Sequence, residues 1–178
     1  EAIGMNIIDI SPVITPNIAV FPGDTTFSRN ILLDFKKGNN LLLSSISSTV
    51  HLGAHTDAPN HYHPDGCDIA ERDLNFYFGD CQVITVTLPL AQRIYPKDIL
   101  DIEIKAKRIL FKTNSFPNPD NWNSDFNSLS PELVEYLVEK KVILVGIDTP
   151  SVDPSDSKDL ETHNSIYRNT YNFLQVNN

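Results

Sequence analysis

The hydrophobic and polar positions of the chain change their period several times, and these changes predict alternating strands and helices. Short apolar or alternating runs bounded by proline, glycine and asparagine are typical of strands. Such runs occur at residues 6–10, 30–35, 41–50, 81–87, 108–112, 142–147 and 171–175. The run at 142–147 is continuously apolar, which is typical of a strand buried on both faces.

The clearest helix is predicted to begin after Ser130. This residue suits the N-cap, Pro131 suits the first helical position, and apolar residues follow at helical spacing, at Leu133, Val134, Leu137 and Val138. A second helix is predicted over about residues 158–169, and a helical turn at 96–102. The segment 115–129 is rich in proline, asparagine, aspartate and serine, which predicts a surface loop.

Early strands followed by alternating strands and helices predict an α/β fold with a mixed sheet. A chain of 178 residues, 40% of them hydrophobic, has the size and composition of a single domain with one core. We expect this domain to span residues 5–178, because Met5 opens a segment that resembles a native start. Residues 1–4 are then expected to be an expression remnant.

The charge of the chain narrows the range of partners. Its formal net charge of −9 and its lack of a basic cluster argue against a nucleic-acid surface. An anionic small molecule stays compatible with this charge, because a bound divalent cation reverses the local field. No apolar run approaches the roughly 20 residues of a membrane span. Cys67 and Cys81 lie far from any CxxC spacing, so we expect reduced thiols in a cytoplasmic protein.

Histidine is confined to two places in the sequence. Four of the five histidines fall within thirteen residues, at His51, His55, His61 and His63. Asp57 lies among them, and His163 stands alone near the C-terminus. Imidazole is the side chain best suited to bind a transition metal or to move a proton near neutral pH. The sequence therefore predicts a metal site in the segment 51–63.

The spacing of this segment indicates which residues bind. His51, His55 and Asp57 form a facial set for Zn²⁺, Mn²⁺ or Fe²⁺ that leaves coordination positions open for water and substrate. They converge only if the chain turns, and Gly53 permits such a turn. A bound dication lowers the pKa of water from about 16 to about 7. His61 would then be a nearby imidazole that acts as general base and later as general acid.

The two other histidines carry weaker signals. His63 precedes the turn sequence at residues 64–66, and we expect an exposed side chain without a role. His163 falls on the predicted late helix, where a structural polar residue and a metal ligand are equally compatible with the sequence.

The residues of this segment resemble a known motif. The string HLGAHTDAPNH at residues 51–61 closely resembles the HxGTHxDxPxH motif of the metal-dependent cyclase/kynurenine formamidase family. Four further pieces resemble this family's ISP, WPGD, HYDPDG and GIDTPSLD motifs, at residues 10–12, 21–24, 61–66 and 146–153. Ser157, Lys158 and His163 continue the last pattern. The pieces follow the family's order along nearly the whole chain, which makes the resemblance specific.

The resemblance implies a swivelling β/α/β fold, a homodimer and a metal-dependent amidohydrolase. The implied reaction is hydrolysis of an aryl formamide, N-formylkynurenine to kynurenine and formate, in tryptophan catabolism. The implied metal is one or two Zn²⁺ ions, with Mn²⁺ as an alternative. The implied roles are first-metal ligands for His51, His55 and Asp57, a bridge to a second metal for Asp57, acid/base catalysis for His61, second-metal binding for His163, and the aryl pocket for Phe21. For Asp148 and Asp153 we expect hydrogen-bonded structural roles.

Three departures from the family pattern leave alternatives open. Ala54 replaces the usual threonine, and Gln175 falls where the family places a glutamate ligand of the second metal. A neutral amide is a weaker ligand than a carboxylate, so Gln175 leaves the metal count open. The sequence ends at Asn178, where family members continue, so the chain is either naturally short or lacks a C-terminal piece. The alternatives are a mononuclear hydrolase that opens a cyclic amide such as isatin, and a metal-binding member without catalysis.

Overall fold

Three separate sheets and two α-helices organise the described residues. The computed structural model describes residues 8–169 and the backbone of residues 174–177. Strands β1 (Ser28–Leu33) and β2 (Leu43–Ser47) form an antiparallel hairpin, in which Ser28 pairs with Ser47 and Leu33 with Leu43. This hairpin is a two-stranded sheet of its own.

The central sheet has five strands in the order β3-β9-β8-β6-β4. Its strands are β3 (His55–Thr56), β4 (Gln82–Thr85), β6 (Arg108–Lys112), β8 (Leu144–Ile147) and β9 (Leu174–Asn177). Strands β4, β6, β8 and β9 run parallel to one another, whereas β3 runs antiparallel to β9 at one edge. The mixed sheet predicted from the sequence is confirmed, and its edge strand β3 carries a residue of the histidine segment.

The remaining elements are a small sheet and the helices. Strands β5 (Arg93–Ile94) and β7 (Ser128–Leu129) pair in parallel. Helix α1 (Pro131–Glu139) begins as predicted, because the Ser130 side chain accepts a hydrogen bond from the Leu133 amide. The helical turn predicted at 96–102 is a short 3-10 helix, Pro96–Ile99.

Helix α2 (Glu161–Arg168) begins three residues later than predicted. Leu160 has a φ of +46°, outside the helical region, so the helix cannot extend back through it. The amides of Thr162 and His163, in the first turn, donate instead to the Asp153 carboxylate. A buried carboxylate therefore fixes where this helix starts.

Three sequence predictions need correction or lie partly outside the described residues. Residues 8–10 of the predicted first strand have no regular structure, and Ile8 and Ile10 are exposed. The predicted loop 115–129 is buried at its end, where β7 joins β5. The last strand lies at 174–177 rather than at 171–175, of which residues 171–173 are outside the description. The predicted domain boundaries, 5–178, stay a prediction.

The hydrophobic core lies between the parallel strands and the two helices. Most of its buried members come from β4, β6, β8, α1 and α2 and include Ile84, Ile109, Phe111, Leu133, Leu137, Val145 and Ile166. The small sheet and the 3-10 helix add Ile94, Leu129 and Ile99. The continuous apolar run predicted for a doubly buried strand is confirmed, since all four residues of β8 are buried. Within the described part of the chain, no helix has the length and apolar character needed to cross a bilayer.

We expect Leu137→Ala to lower the free energy of unfolding by about 2–5 kcal/mol, because it leaves a cavity under α1. Leu137 is fully buried, whereas Leu74 is 78% exposed and offers a matched control. Chemical denaturation of Leu137→Ala and Leu74→Ala would measure both effects. Equal losses in the two variants would contradict this placement of the core.

Candidate metal centre and substrate pocket

The histidine segment enters the site through a turn at Gly53. This residue has a φ of +57°, in the left-handed region that glycine adopts without strain. A Cβ at this position would lie 3.4 Å from the Pro12 side chain, so the turn is also closely packed. Strand β3 then carries His55, and Asp57 follows with only 3% of its surface exposed. The turn expected at Gly53 is confirmed.

Several potential ligand atoms surround the carboxylate of Asp57. The Nδ1 of His51 lies 2.9 Å from Oδ1 of Asp57, and the Nε2 of His55 lies 3.4 Å from the same oxygen. These two ring nitrogens are 3.2 Å apart. The other oxygen, Oδ2, lies 3.9 Å from the Nε2 of His163. The fold thus brings residues from two distant parts of the sequence around one buried carboxylate.

The hydrogen bond of His55 fixes its tautomer. Its Nδ1 lies 2.8 Å from the carbonyl oxygen of Gly53. A carbonyl oxygen can only accept, so Nδ1 carries a proton, and in the neutral ring the lone pair lies on Nε2. That lone pair belongs to the nitrogen beside Asp57, which is the arrangement found in metal-binding histidines.

A carboxylate orients the ring of His163 in the same way. Its Nδ1 lies 2.7 Å from Oδ2 of Asp153, which orients the ring and leaves Nε2 beside Asp57. Asp153 is completely buried and is held by the amides of Thr162 and His163. The Nη1 of Arg93 lies 3.1 Å from its Oδ1. The hydrogen-bonded role expected for Asp153 is confirmed, whereas Arg93 carried no signal in the sequence.

The electrostatics of the cluster follow from burial and hydrogen bonding. Burial opposes ionisation of Asp57, but hydrogen bonds from His163, His51 and His55 outweigh it and hold the pKa of this carboxyl far below its ordinary value. Burial also opposes protonation of His163, yet its bonds to Asp153 and Asp57 raise the pKa of this imidazole. In the metal-free protein a proton therefore competes for His163, and metal affinity rises as the pH rises.

His61 lies on a separate 3-10 turn, Pro59–His61, next to the cluster. Its ring centroid is 4.1 Å from that of His51 and 6.4 Å from that of His163. The turn is closely backed by Gly66, where a Cβ would lie 2.3 Å from a backbone atom of Pro59. Any side chain at residue 66 would therefore displace the turn that carries His61.

The position of His61 allows two roles. One ligand atom each from His51, Asp57 and His61 lie within 4.8 Å of one another, so geometry alone permits His61 to bind a metal. Partial burial lowers the pKa of His61, and the nearby His51 and His163 add to this effect, although the charge of Asp57 opposes it. His61 is consequently a neutral base at pH 7, as proton transfer from water requires.

A cavity of about 790 Å³ opens from the histidines towards the surface. One wall is aromatic and consists of Phe21, Phe116 and Trp122. The rings of Phe21 and Trp122 meet edge to face, with centroids 4.9 Å apart. The Ala19 amide donates to the Pro119 carbonyl and joins the two segments of this wall. The wall suits a planar aromatic group beside the metal centre.

Most of the predicted site residues meet in this cavity, but not all of them do. Phe21 lines it as expected, whereas Phe116 and Trp122 were missed because their segment was predicted only as a surface loop. Their aromatic character within a polar segment was the available signal. The exposed side chain expected at His63 is wrong, because only 29% of this side chain is exposed and its ring stacks on Tyr167. That His63 has no role stays a prediction. The side chain of Gln175 lies outside the described residues.

The other aspartate with an expected structural role also lies at the cavity. The carboxylate of Asp148 accepts hydrogen bonds from the Thr113 amide and hydroxyl and from the Asn114 amide. These bonds hold the loop that leaves β6, at the carboxyl end of the parallel strands. The hydrogen-bonded role expected for Asp148 is confirmed.

Comparison with known proteins defines the family. The Cyclase family model matches residues 8–154. The chain is 35% identical over 168 residues to the kynurenine formamidase of Erythrobacter litoralis (strain HTCC2594), covering 94% of this chain and 76% of that protein. It is 32% identical to the kynurenine formamidase of Maricaulis maris (strain MCS10), covering 94% and 80%. The chain belongs to the Cyclase family.

Solved structures similar to this Cyclase family member support the fold. One is described as a potential metal-dependent hydrolase with cyclase activity, with a TM-score of 0.79, 22% identity, and coverage of 96% of this chain and 79% of that one. An isatin hydrolase bound to the product analogue thioisatinate has a TM-score of 0.76, 17% identity, and coverage of 96% and 78%. At these identities the likeness concerns the fold alone.

The donor set of this Cyclase family member fits a divalent metal. Imidazole nitrogens and a buried carboxylate oxygen are suitable ligands for Zn²⁺ and Mn²⁺. The tautomers of His55 and His163 are already fixed so that both Nε2 atoms lie beside Asp57. The hydrogen-bonded partners that metal-binding histidines require are therefore built into the fold.

We expect Asp153→Asn to weaken metal binding at His163 by about 10–100-fold, because the variant loses the carboxylate that orients this ring. Zn²⁺ titration of chelator-treated protein, followed by calorimetry, would measure the affinity. Asp156→Asn is the matched control, since Asp156 is an exposed residue of the same loop. Unchanged affinity in both variants would show that Asp153 does not support a metal ligand.

Proposed function

We propose that this chain hydrolyses N-formylkynurenine to kynurenine and formate. The observation that carries the proposal is one cavity that holds a fitted metal-donor set, a neutral imidazole and an aromatic wall. An aryl formamide needs all three, because its formyl carbonyl must be polarised, a water must be activated and its ring must be held. The two relatives named kynurenine formamidase support the choice of substrate.

In this proposal His51, His55 and Asp57 hold a first Zn²⁺. Asp57 and His163 would also hold a second metal ion, together with Gln175 on the basis of its sequence position. When bound, such a metal polarises the formyl carbonyl and makes water a stronger acid. Mn²⁺ accepts the same ligands, so the ligand types do not choose between the two metals. The identity and the number of the ions follow from the metal content of the purified protein.

His61 is the proposed proton carrier. Its neutral ring accepts a proton from the attacking water, whose oxygen forms a bond to the formyl carbon. It then returns the proton to the aniline nitrogen while the carbon–nitrogen bond breaks. Without this protonation the leaving group would be an anilide anion, which departs poorly. The products are one amine and one formate.

The aromatic wall is the proposed binding site for the aryl ring of the substrate. The face of a substrate ring lying against Phe21 and Trp122 would bury apolar surface and place the formyl group beside the histidines. Phe116 supports this wall, with its ring centroid 5.9 Å from that of Trp122. The wall therefore contributes mainly to substrate affinity.

We expect His61→Ala to keep its Zn²⁺ content and to lose turnover of N-formylkynurenine by about 10²–10⁴-fold, the usual contribution of a general acid–base group. His55→Ala should lose both metal and activity, because it removes a ligand. Metal content by plasma mass spectrometry and formate release would be measured on the same samples. Asn60→Ala, at an exposed neighbouring position, is the control and should behave as the wild type.

The possible outcomes separate the alternative roles and substrates. Loss of Zn²⁺ in His61→Ala would make His61 a ligand, and full activity in this variant would remove it from the mechanism. Turnover of isatin without turnover of the formamide would replace the proposed substrate by a cyclic amide. A wild-type protein with metal and no turnover of either compound would be a binding protein.

We also propose that the protein is a homodimer and that the β1–β2 hairpin is its contact surface. Large apolar side chains are exposed on the hairpin and its connecting loop, namely Ile31, Leu32, Phe35, Leu41, Leu42, Leu43 and Ile46. Residues 28–47 carry three basic and one acidic side chains, a net +2, which leaves −11 on the rest of a chain of −9. A basic apolar arm on an acidic molecule favours contact with a second copy.

We expect sedimentation equilibrium to give a dimer for the wild type and a monomer for the double variant Leu32→Asp, Ile46→Asp. High salt should weaken the dimer, because the arm and the body carry opposite charge. Leu74→Asp, at an exposed position outside the hairpin, is the control and should stay dimeric. A monomeric wild type, or a double variant that remains dimeric, would refute this interface.

A further inference from the structure

The turn that carries His61 is fastened to helix α2 by two aromatic contacts. The rings of His63 and Tyr167 are stacked, with centroids 3.6 Å apart and planes 11° apart. The preceding residue, Tyr62, packs against His163, with ring centroids 5.2 Å apart. Tyr167 follows His163 by four residues, so both rings lie on the same face of α2. Adjacent residues of the turn thus contact adjacent turns of the helix.

Backbone hydrogen bonds shape the turn itself. The His63 amide donates to the Pro59 carbonyl, the Gly66 amide donates to the His63 carbonyl, and the Asn60 amide donates to the Cys67 carbonyl. All three bonds join residues of the segment 59–67. They fix the conformation of the segment, but they do not fix its distance from α2. That distance depends on contacts such as the two ring pairs.

The His63 ring is itself held in position. Its Nδ1 accepts a hydrogen bond from the Asp65 amide at 3.2 Å, which fixes the orientation of the ring. The oriented imidazole offers a flat face to the tyrosine ring.

We propose that His63 and Tyr167 form an aromatic clamp that positions His61 relative to His163. Both are positioning residues, because their rings act on the reaction only through the placement of the turn. The clamp rests on the proposed hydrolase function, in which His61 exchanges protons beside ligands that include His163. Loosening the clamp would move the proton carrier while leaving every proposed ligand in place.

We expect His63→Ala to lower kcat for N-formylkynurenine about tenfold. A rate loss of this size corresponds to the loss of about one stacked aromatic pair. KM and Zn²⁺ content should stay close to the wild-type values, because the aromatic wall and the ligands are unchanged. His63→Phe should restore kcat, since phenylalanine can stack on the tyrosine ring. Tyr167→Leu, which removes the other ring, should repeat the loss seen with His63→Ala.

Hydrogen exchange of the metal-free protein tests the clamp without any assay of turnover. Amides of residues 59–67 should exchange faster in His63→Ala and Tyr167→Leu, and at the wild-type rate in His63→Phe. Tyr136→Ala removes a partly buried ring from α1, away from the site, and controls for general loss of stability. It should change neither the exchange of this segment nor kcat.

Each result either supports or overturns the clamp. Faster exchange with a lower kcat, both reversed in His63→Phe, supports it. Unchanged exchange, or faster exchange with an unchanged kcat, overturns it, as does failure of His63→Phe to restore either quantity. A wild type inactive on the formamide would refute the proposed function, while exchange would still decide whether the two rings fasten the turn.

Discussion

The carboxylate of Asp57 is almost inaccessible to solvent and yet ionised, and the architecture around it exists to make this possible. A buried charge without hydrogen-bonding partners costs several kcal/mol, so such a group survives only where the fold supplies donors. Here the donors come from His51, His55 and His163. The turn at Gly53, the edge strand β3 and the start of helix α2 each bring one of them to the carboxylate. A metal ion would replace the protons on these nitrogens, so the same arrangement suits the metal-free and the metal-bound protein.

The site joins two parts of the chain with different tasks. The early segment supplies most of the donor atoms and the proposed proton carrier, while the late helix supplies His163 on a buried support that includes Asp153 and Arg93. The parallel strands between them ensure that the loops at one edge of the sheet reach the same cavity. Substrate binding is assigned to a third part, the aromatic wall formed by Phe21, Phe116 and Trp122. The proposed roles in substrate binding, proton transfer and metal binding therefore lie on separate residues, and mutation can test them one at a time.

Local patterns predicted those parts of the molecule that depend on neighbouring residues. Helix α1 was predictable because its cap and apolar stripe lie within a few residues, and the metal cluster was predictable because four histidines are crowded into one segment. The start of α2 was not, since it depends on a carboxylate seven residues upstream of Leu160. Trp122 and the stack of His63 on Tyr167 were missed for a related reason. Trp122 meets Phe21, and His63 meets Tyr167, about one hundred residues apart in the sequence, and no period along the chain encodes such contacts.

The order of strands in the central sheet has a consequence for how the protein is made. Strand β3, which carries His55, pairs in this sheet with β9, and His55 lies opposite Asn177. During synthesis the segment that carries His55 emerges long before Asn177, so β3 can pair with β9 only after residues 174–177 have emerged. Most of the elements that contribute to the hydrophobic core, namely β4, β6, β8 and α1, precede these residues. The segment that carries the candidate donors is therefore tied into the central sheet only after most of the core has been synthesised.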